Sequence, residues 1–377
     1  TMSSATVKSG MHVFDPVVIT LPATGTMDFE ALEGMLVSVV PSDTTNLVVT
    51  EYYNFGQYGE VLVCAADKAI GRIFQFTENN TPDTTLYGQN QEMFAQSCVK
   101  IDDNSGSQNP NPPLFGSVYQ IDSSNYLRGG SRVTALKGPL WYSFGDWRVA
   151  TLSADDLSYE NNNPRVSVPQ VAGNLKIVNT NLLNYFVTLK QDNSNARGAN
   201  DQAEFDRQVS KTILALMTMN ADIVCVQELE NVQGNLAAYD LVDRMNTALP
   251  GRNYSFASIE AGFDTIGTDV IKVDVMFDQN VLSFLSAAFL TDDDVDQALL
   301  DQSTTGAIFN GFSRVPLAAS FSVIEGSNVL TTVVSHFKSK GDRGSAIGAD
   351  DDQNDGAGHY NPMRLLSSQA LLQWVSS

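Results

Sequence analysis

"ADIVCVQELEN", residues 221–231, reads as an apolar strand that runs straight into carboxylates. Ile223 to Gln227 is mostly β-branched and apolar, and Glu228, Glu230 and Asn231 follow at once. So short and apolar a run fits a strand buried on both faces of a sheet. A lone Glu at the end of such a strand is by default a solvated carboxylate, placed where the sheet surfaces.

The flanking sequence supplies the layers that such a strand needs. "NLKIVNTNLLNYF" (174–186) begins as a strand, and "DQAEFDRQVSKTILALMTMN" (201–220) sets Phe205, Val209, Ile213, Leu214 and Leu216 near helical spacing. Downstream, "AAYDLVDRMNTAL" (237–249) reads as a helix and "IKVDVMFD" (271–278) as a strand. "RVPLAASFSVI" (314–324) and "VLTTVVSHF" (329–337) read as two further strands joined by the turn "EGSN". "TDDDVDQALLDQ" (291–302) is an acid-rich helix start, where carboxylates favour the N-terminal dipole. "NPMRLLSSQALLQWVSS" (361–377) is helical, with Asn361 as cap and Pro362 at the first helical position. Alternation of strands and helices over 169–377 indicates an α/β domain, a partial sandwich by the resemblance described below.

Residues 1–168 follow a different grammar. "NLVVTEYYN" (46–54), "GEVLVCA" (59–65), "GRIFQFT" (71–77) and "SRVTALKGPLWYSF" (131–144) are strand-like runs punctuated by Gly, Asn, Asp and Pro. "DDNSGSQNPNPP" (102–113) is a turn-rich loop in which Pro forbids a helix or a central strand. These features predict a small barrel or sandwich. The Asn- and Pro-rich "SYENNNPRVSVPQVAGN" (158–174) places a domain boundary near 165–173. The expected fold class is therefore α+β: a β-rich domain over 1–168, then an α/β domain over 169–377.

Composition narrows the partners. Among 377 residues, 43 acidic and 22 basic side chains give a formal net charge of −21, which disfavours avid non-specific binding to duplex nucleic acid. Such a chain suits a salty or cation-rich medium, where repulsion is screened. It has no run of eighteen apolar residues, so no membrane span is expected. The start, "TMSSATVKSG", lacks the basic and apolar regions of a signal peptide, as a processed secreted chain also would. Cys225 lies inside the apolar strand and reads as a small buried hydrophobe. Cys64 and Cys98 remain as a pair whose bonding the spacing leaves open; a bond would indicate an oxidising compartment.

Four polar residues of distinct type stand at or near strand ends: Asn181, Glu228, Arg314 and His336. Each alone has an ordinary reading, as a turn former, a surfacing carboxylate, an edge charge or a surface imidazole. Together they occupy the positions where α/β folds place ligand sites. Glu and Asn offer hard oxygen ligands suited to Mg²⁺ or Ca²⁺. His can donate to a phosphoryl or leaving oxygen, and Arg can neutralise a transferring phosphate. These are the parts of a metal-assisted phosphodiester hydrolysis.

At this point the chain resembles a known family. "NLKIVNTNLLNYF", "ADIVCVQELEN", "IGTDVIKVDVMFD", "SRVPLAASF", "SHFKSKG" and "DDDQNDGAGHYNPMRLLSSQALLQW" occur in the order seen in secreted bacterial nucleases of the endonuclease/exonuclease/phosphatase superfamily. "FEALEGMLVSVV", "QNPNPP" and "GPLWYSFGDWRV" resemble the OB-like domain that precedes the catalytic domain in those proteins. The resemblance runs from about residue 29 onward, with "QELEN" and "SHFKSKG" its most specific pieces. It implies Asn181 near the metal and Glu228 as ligand of the divalent cation, Mg²⁺ with Ca²⁺ or Mn²⁺ as alternatives. It further implies Arg314 at the scissile phosphate and His336 at the phosphate or leaving oxygen. Lys338 and Lys340 would line the phosphate path, with solvated surface charges the competing reading. Asp269 and Lys272, in "GTDVIK", match family positions at the substrate.

The sequence also departs from the family. A Gly-Asp-Phe-Asn type motif and a Ser-Asp-His type motif, which in the family act at the phosphate and activate water, do not occur here. The only other histidines are His12 and His359. What is expected is a phosphate-and-metal half-site that needs the remaining C-terminal part of the catalytic domain to complete it. The acidic "DDDQNDGAGHYNP" (350–362) is no EF-hand, since the twelfth position counted from Asp351 is Pro362 rather than Glu. The reading is a secreted or cell-surface, metal-dependent nuclease acting on DNA or RNA, an enzyme when complete. Two alternatives stay open: a non-catalytic binding or structural subunit, and a phosphodiesterase for lipid or small phosphoesters.

Overall fold

The computed structural model describes residues 14–23, 29–110, 114–115, 119–120, 126–160, 168–169, 171–309, 313–326, 328–342 and 344–377. The linker reading falls largely on 161–167 and 170, and His12 on 1–13, all outside the described residues. The architecture is mixed α+β, divided into two compact units. One is Thr1–Val166 with Asn354–Gly356; the other is Ser167–Gln353 with Ala357–Ser377.

The first unit contains β1 (Val17–Leu21), β2 (Leu36–Pro41), β3 (Thr45–Glu51), β4 (Glu60–Asp67), β5 (Cys98–Asp102), β6 (Leu114–Phe115), β7 (Tyr119–Gln120), β8 (Arg132–Ser143), β9 (Asp146–Ala150) and β10 (Leu157–Glu160). Short helices α1 (Phe55–Tyr58) and α2 (Phe76–Asn79) and the longer α3 (Thr84–Ser97) lie between them. The strand order is β1-β2-β8-β3-β4-β5-β9, with β10 on β8 and an additional β8–β9 pairing. At 12 residues β8 is long enough to serve several partners. Val133 and Arg132 pair with Leu47 and Val48, while Leu140 to Ser143 pair with Val149 to Asp146. The ring β3-β4-β5-β9-β8 therefore closes on itself, which leaves those strands without open edges. Val61, Val63, Val99, Ile101, Leu136 and Val149 belong to its core. At Gly138, β8 passes so close to β9 that a Cβ would lie 1.9 Å from the Ala150 carbonyl oxygen.

Cys64 and Cys98 are register partners on β4 and β5 and form a disulfide. The strand expected over 71–77 is absent. Phe76 instead starts α2, with its buried ring 5.3 Å from that of Tyr87. Helix α3 had no expectation at all. Its N-cap Asp83 accepts from the Leu86 N–H at 2.8 Å, but only Ser97 of the helix is buried, so no apolar stripe announces it.

The second unit contains β11 (Ile177–Tyr185), β12 (Ile223–Glu230), β13 (Tyr254–Phe256), β14 (Ile271–Asp278), β15 (Leu282–Phe289), β16 (Arg314–Val323) and β17 (Val329–His336). Its helices are α4 (Gln202–Met219), α5 (Leu236–Ala248), α6 (Ala257–Glu260), α7 (Gln297–Leu300) and α8 (Asn361–Ser376). One sheet has the order β11-β12-β14-β13, the other β15-β16-β17. β11 runs parallel to β12; β12 and β13 are antiparallel to β14, and β16 is antiparallel to both its neighbours.

Side-chain alternation separates two cores. Ile223, Cys225, Val273, Val275 and Phe277 pack with Leu317, Ala319 and Phe321 of the second sheet and with Met363, Leu366 and Ala370 of α8. Val224, Val226 and Met276 share the opposite core with Phe205, Val209 and Leu216 of α4 and Leu241, Val242 and Met245 of α5. Strand β12 is thus covered on both faces, which is why its sequence is an unbroken apolar run. Asn361 is not the cap of α8. That position falls to Tyr360, in a left-handed conformation without a side-chain cap. Tyr360 is fixed from elsewhere: its N–H donates to the Asp350 carbonyl at 2.7 Å and its hydroxyl lies 2.6 Å from Ser345 Oγ.

Candidate active site

Val226 and Leu229 both pack in the helix-side core, yet two residues separate them where strict alternation allows one. Their partners on β14, Asp274 and Lys272, are only two apart, so β12 carries one residue more than its neighbour. Glu228 has φ +61°, a left-handed conformation that only a bulge or turn imposes on such a residue. Regular alternation would point Glu228 at the helices beside Val224 and Val226. The bulge turns it toward the second sheet, where its Oε1 lies 3.8 Å from Nε2 of His336.

The end of β11 supports this carboxylate. Glu228 Oε2 accepts from the Asn184 N–H at 3.0 Å. Leu183 and Asn184 are also left-handed, and Asn181 Oδ1 accepts from the Leu183 N–H at 2.7 Å, an Asx turn that kinks the strand. Asn181 is the register partner of Gln227, whose Nε2 donates to Asn179 Oδ1 at 2.6 Å. Asn181 thus stands beside the bulge, across the parallel pair.

The second sheet brings two cationic or ionisable groups. Arg314 and His336 are register partners on β16 and β17. Arg314 Nε lies 3.1 Å from Asp269 Oδ2, and Arg197 reaches the other oxygen of the same carboxylate at 3.5 Å. The loop carrying Asp269 is held by Asn231. Its Nδ2 donates to the carbonyls of Ile266 and Asp269 at 2.9 Å each, and its Oδ1 accepts from the Ile266 N–H at 3.0 Å.

Two buried nitrogens here, Arg314 Nε and His336 Nδ1, have no hydrogen-bond partner among the described residues. The Asp269 contact is therefore an ion pair whose N–H is not aimed at the oxygen. Unsatisfied buried polar groups cost stability and mark places where a ligand can supply the missing partner. Burial and, after it, the Arg314 charge hold the His336 pKa below the ordinary histidine value, against the opposing pull of Glu228 and Asp269. The imidazole is consequently neutral at pH 7. Lys338 is lowered by burial and then by Arg314; its ammonium sits 4.6 Å from the centroid of the Tyr360 ring.

The structure thus gathers Glu228, His336, Arg314 and Asp269, with Asn181 and Lys338 adjoining. Lys340 lies two residues beyond Lys338, exposed, and its carbonyl accepts from the His359 N–H at 3.1 Å. Lys272 does not join them, and its assignment to the substrate is corrected. Its alternation on β14 sends it to the helix side, where the wholly buried ammonium binds Asn235 Oδ1 and lies 3.5 Å from Asp274 Oδ2. Sequence reading missed Asn184, which acts through its backbone N–H, and Arg197, in a polar loop with no periodic signal. An open groove of about 430 Å³ between α4 and α5, lined by Val209, Ile213, Leu214 and Met217, lies on the far side of the first sheet and contributes none of these groups.

Among the described residues no group of three or more His, Cys, Asp or Glu side chains is placed to hold a metal ion. The donor set still suits Mg²⁺, which uses one or two carboxylates and fills its shell with water and phosphate oxygens. Glu228 Oε1 faces the site, and the Asn181 carbonyl keeps a lone pair beyond the one given to Leu183. No helix among the described residues is long and apolar enough to cross a membrane.

No protein-family model matches the chain, and no curated protein matches it. Among solved structures it is distantly similar to several of the endonuclease/exonuclease/phosphatase kind. ANGEL2, described as a 2',3'-cyclic phosphatase, shares 12% identity at a TM-score of 0.32, over 54% of this chain and 47% of that one. An endonuclease/exonuclease/phosphatase family protein from Bacteroides thetaiotaomicron shares 11% at 0.31, over 53% and 58%. Humanized D. rerio TDP2 shares 12% at 0.30, over 54% and 56%. This chain spans about half the length of the proteins it matches. Likeness at this level carries no activity across, so the functional reading rests on the geometry above.

Proposed function

We propose that the second unit carries the metal- and phosphate-binding half of a phosphodiesterase centre, in an extracellular nuclease acting on DNA or RNA. The observation that carries this is Glu228, held in a left-handed bulge so that its carboxylate faces His336, beside an Arg314 with an unsatisfied buried N–H. A regular strand would be less strained, so the bulge is explained by what it presents.

Glu228 and Asn181 would hold Mg²⁺, with Ca²⁺ or Mn²⁺ served by the same oxygens. When bound, such an ion withdraws charge from a phosphoryl oxygen. Arg314 donates to a non-bridging oxygen and offsets the charge that develops during in-line attack. His336, neutral and with an unpartnered Nδ1, is placed to hold a proton near the phosphate or leaving oxygen. Asp269 fixes the Arg314 head group, and Lys338 and Lys340 extend the cationic path. Activation of water falls to groups on a further part of the catalytic domain. In support, β17 pairs only with β16 among the described residues, leaving its other edge open to a strand.

We read the ring β3-β4-β5-β9-β8 as an OB-like barrel that stabilises the protein or positions its substrate. An extracellular or cell-surface location is supported by the Cys64–Cys98 disulfide and the net charge of −21. A non-catalytic binding or structural subunit is the second reading, supported by the Gly-Asp-Phe-Asn and Ser-Asp-His type motifs missing from this sequence. Plasmid cleavage with Mg²⁺, by this chain and by the full-length gene product, separates the two. The full-length product should cut, and Glu228→Ala should abolish cutting and weaken Mg²⁺ binding measured calorimetrically. If the full-length product cuts nothing and Glu228→Ala binds Mg²⁺ as the parent does, the phosphodiesterase reading fails.

A further inference from the structure

The turn that ends β11 holds a leucine where neither its shape nor its chemistry belongs. Leu183 and Asn184 are successive left-handed residues, at φ +54° and +55°. Such a pair is ordinarily Asn and Gly, because a Cβ in this region crowds the following carbonyl oxygen. A bulky aliphatic side chain gains nothing there in return. Leu183 is 76% exposed, while Leu182 and Tyr185 on either side of the turn are buried. The residue therefore carries both backbone strain and an unburied apolar surface.

The backbone of this turn is held at every polar atom that matters. The Leu183 N–H donates to Asn181 Oδ1 at 2.7 Å, and the Asn184 N–H donates to Glu228 Oε2 at 3.0 Å. The carbonyls of Leu183 and Asn184 both accept from Nε2 of Gln208 on α4, at 2.9 and 3.2 Å. The turn is thus tied to the two residues proposed to hold the cation, and to a helix besides. A loose loop would let an exposed leucine find cover; this one is fixed in the open beside Glu228. Its neighbours are amides: Asn181 is exposed, and Asn184 and Gln208 are half-buried. One apolar group flanked by amides suits a nucleobase, which is apolar on its face and polar at its edges. An acyl chain would need a longer apolar track.

We propose that Leu183 is a specificity-determining residue, whose side chain packs on the base of a nucleotide adjoining the phosphate at Glu228, Arg314 and His336. The site then selects base-bearing phosphodiesters over bare ones. This deepens the phosphodiesterase reading above and rests on it. Leu183 offers no charge and no side-chain hydrogen bond, so its share of recognition separates from that of the phosphate contacts.

Fluorescence anisotropy in EDTA compares two labelled oligomers of equal length and charge, a thymidine oligonucleotide and its abasic tetrahydrofuran counterpart. The proteins are the parent, Leu183→Ala, Leu183→Met and the remote control Leu214→Ala. The parent should hold the thymidine oligomer about tenfold more tightly, the worth of covering most of one leucine side chain. Leu183→Ala should cut that ratio about fivefold and leave the affinity for the abasic oligomer unchanged. Leu183→Met should keep the parent ratio, and Leu214→Ala, at a position 65% exposed on α4, should alter neither affinity. The inference is overturned if the parent binds neither oligomer or does not distinguish them. It is equally overturned if Leu183→Ala weakens both alike, or keeps the parent ratio. Thermal unfolding of the full-length product should give the same midpoint with and without Leu183→Ala; a lowered midpoint would assign the leucine to packing and also overturn the inference. A full-length product that distinguishes the oligomers as expected, yet hydrolyses no thymidine oligomer with Mg²⁺, keeps the Leu183 contact and defeats the phosphodiesterase reading alone.

Discussion

A single backbone angle separates a structural strand end from a ligand-bearing one. Glu228 adopts φ +61°, where a Cβ crowds its own carbonyl and glycine does not. Glu228→Gly should therefore be more stable than Glu228→Ala by about 1 kcal/mol, the reverse of the order in a regular strand or helix. Equilibrium urea unfolding measures it, and equal midpoints would show that the bulge imposes no such constraint. His336 carries a second prediction. Its folded pKa lies below the ordinary value of 6.5, because burial and Arg314 penalise the imidazolium. Below about 6.5 the unfolded chain binds the proton more readily, so stability is complete above that pH and is lost as pH falls through the folded pKa. The unfolding midpoint of the parent should drop more steeply on acidification than that of His336→Gln; parallel curves would contradict the shift. The strand pattern put Asn181, Glu228, Arg314 and His336 at or near strand ends, the family resemblance singled them out, and the structure brings them into one neighbourhood. Lys272 shows the limit of that reasoning, because the face it takes is set by how β14 pairs within the sheet, and residue type does not reveal that pairing.

At the scale of elements, closure of the first unit hangs on one close approach. A methyl group on Gly138 would overlap the Ala150 carbonyl oxygen, so β8 and β9 would have to move apart. Gly138→Ala should destabilise this unit by about 1–3 kcal/mol, read from chemical denaturation; a change within experimental error would mean that the strands part freely. The elements legible in the sequence were those with periodicity, apolar runs or strand composition between breakers, namely α4, α5, α8, β3, β4, β8, β11, β12, β14, β16 and β17. Those that escaped lacked such signals. Helix α3 buries almost nothing, and β15 is a half-exposed edge whose "LSFLSAAF" mixes small and large residues without clean alternation. "GRIFQFT" had strand composition, but a local aromatic contact between Phe76 and Tyr87 overrode it. Topology within the sheets was not legible at all, because pairing depends on contacts far apart in sequence.

For the whole molecule, the excess of acidic groups sets two opposed responses to salt. Self-repulsion at a net charge of −21 weakens the compact state, so added KCl should raise the thermal midpoint. The same salt should weaken oligonucleotide binding, because there the attraction is what is screened. A midpoint that falls with KCl would show that net repulsion does not limit stability. The covalent link between β4 and β5 has a different bearing. Cys64 and Cys98 are 34 positions apart, and the excursion between them includes α2 and α3. A protease that cuts one peptide bond inside this excursion would leave both pieces joined through sulfur, with Cys64 still opposite Cys98 in the sheet. The nicked molecule would differ from the intact one by the mass of a single water, and only a reducing agent would release the fragments.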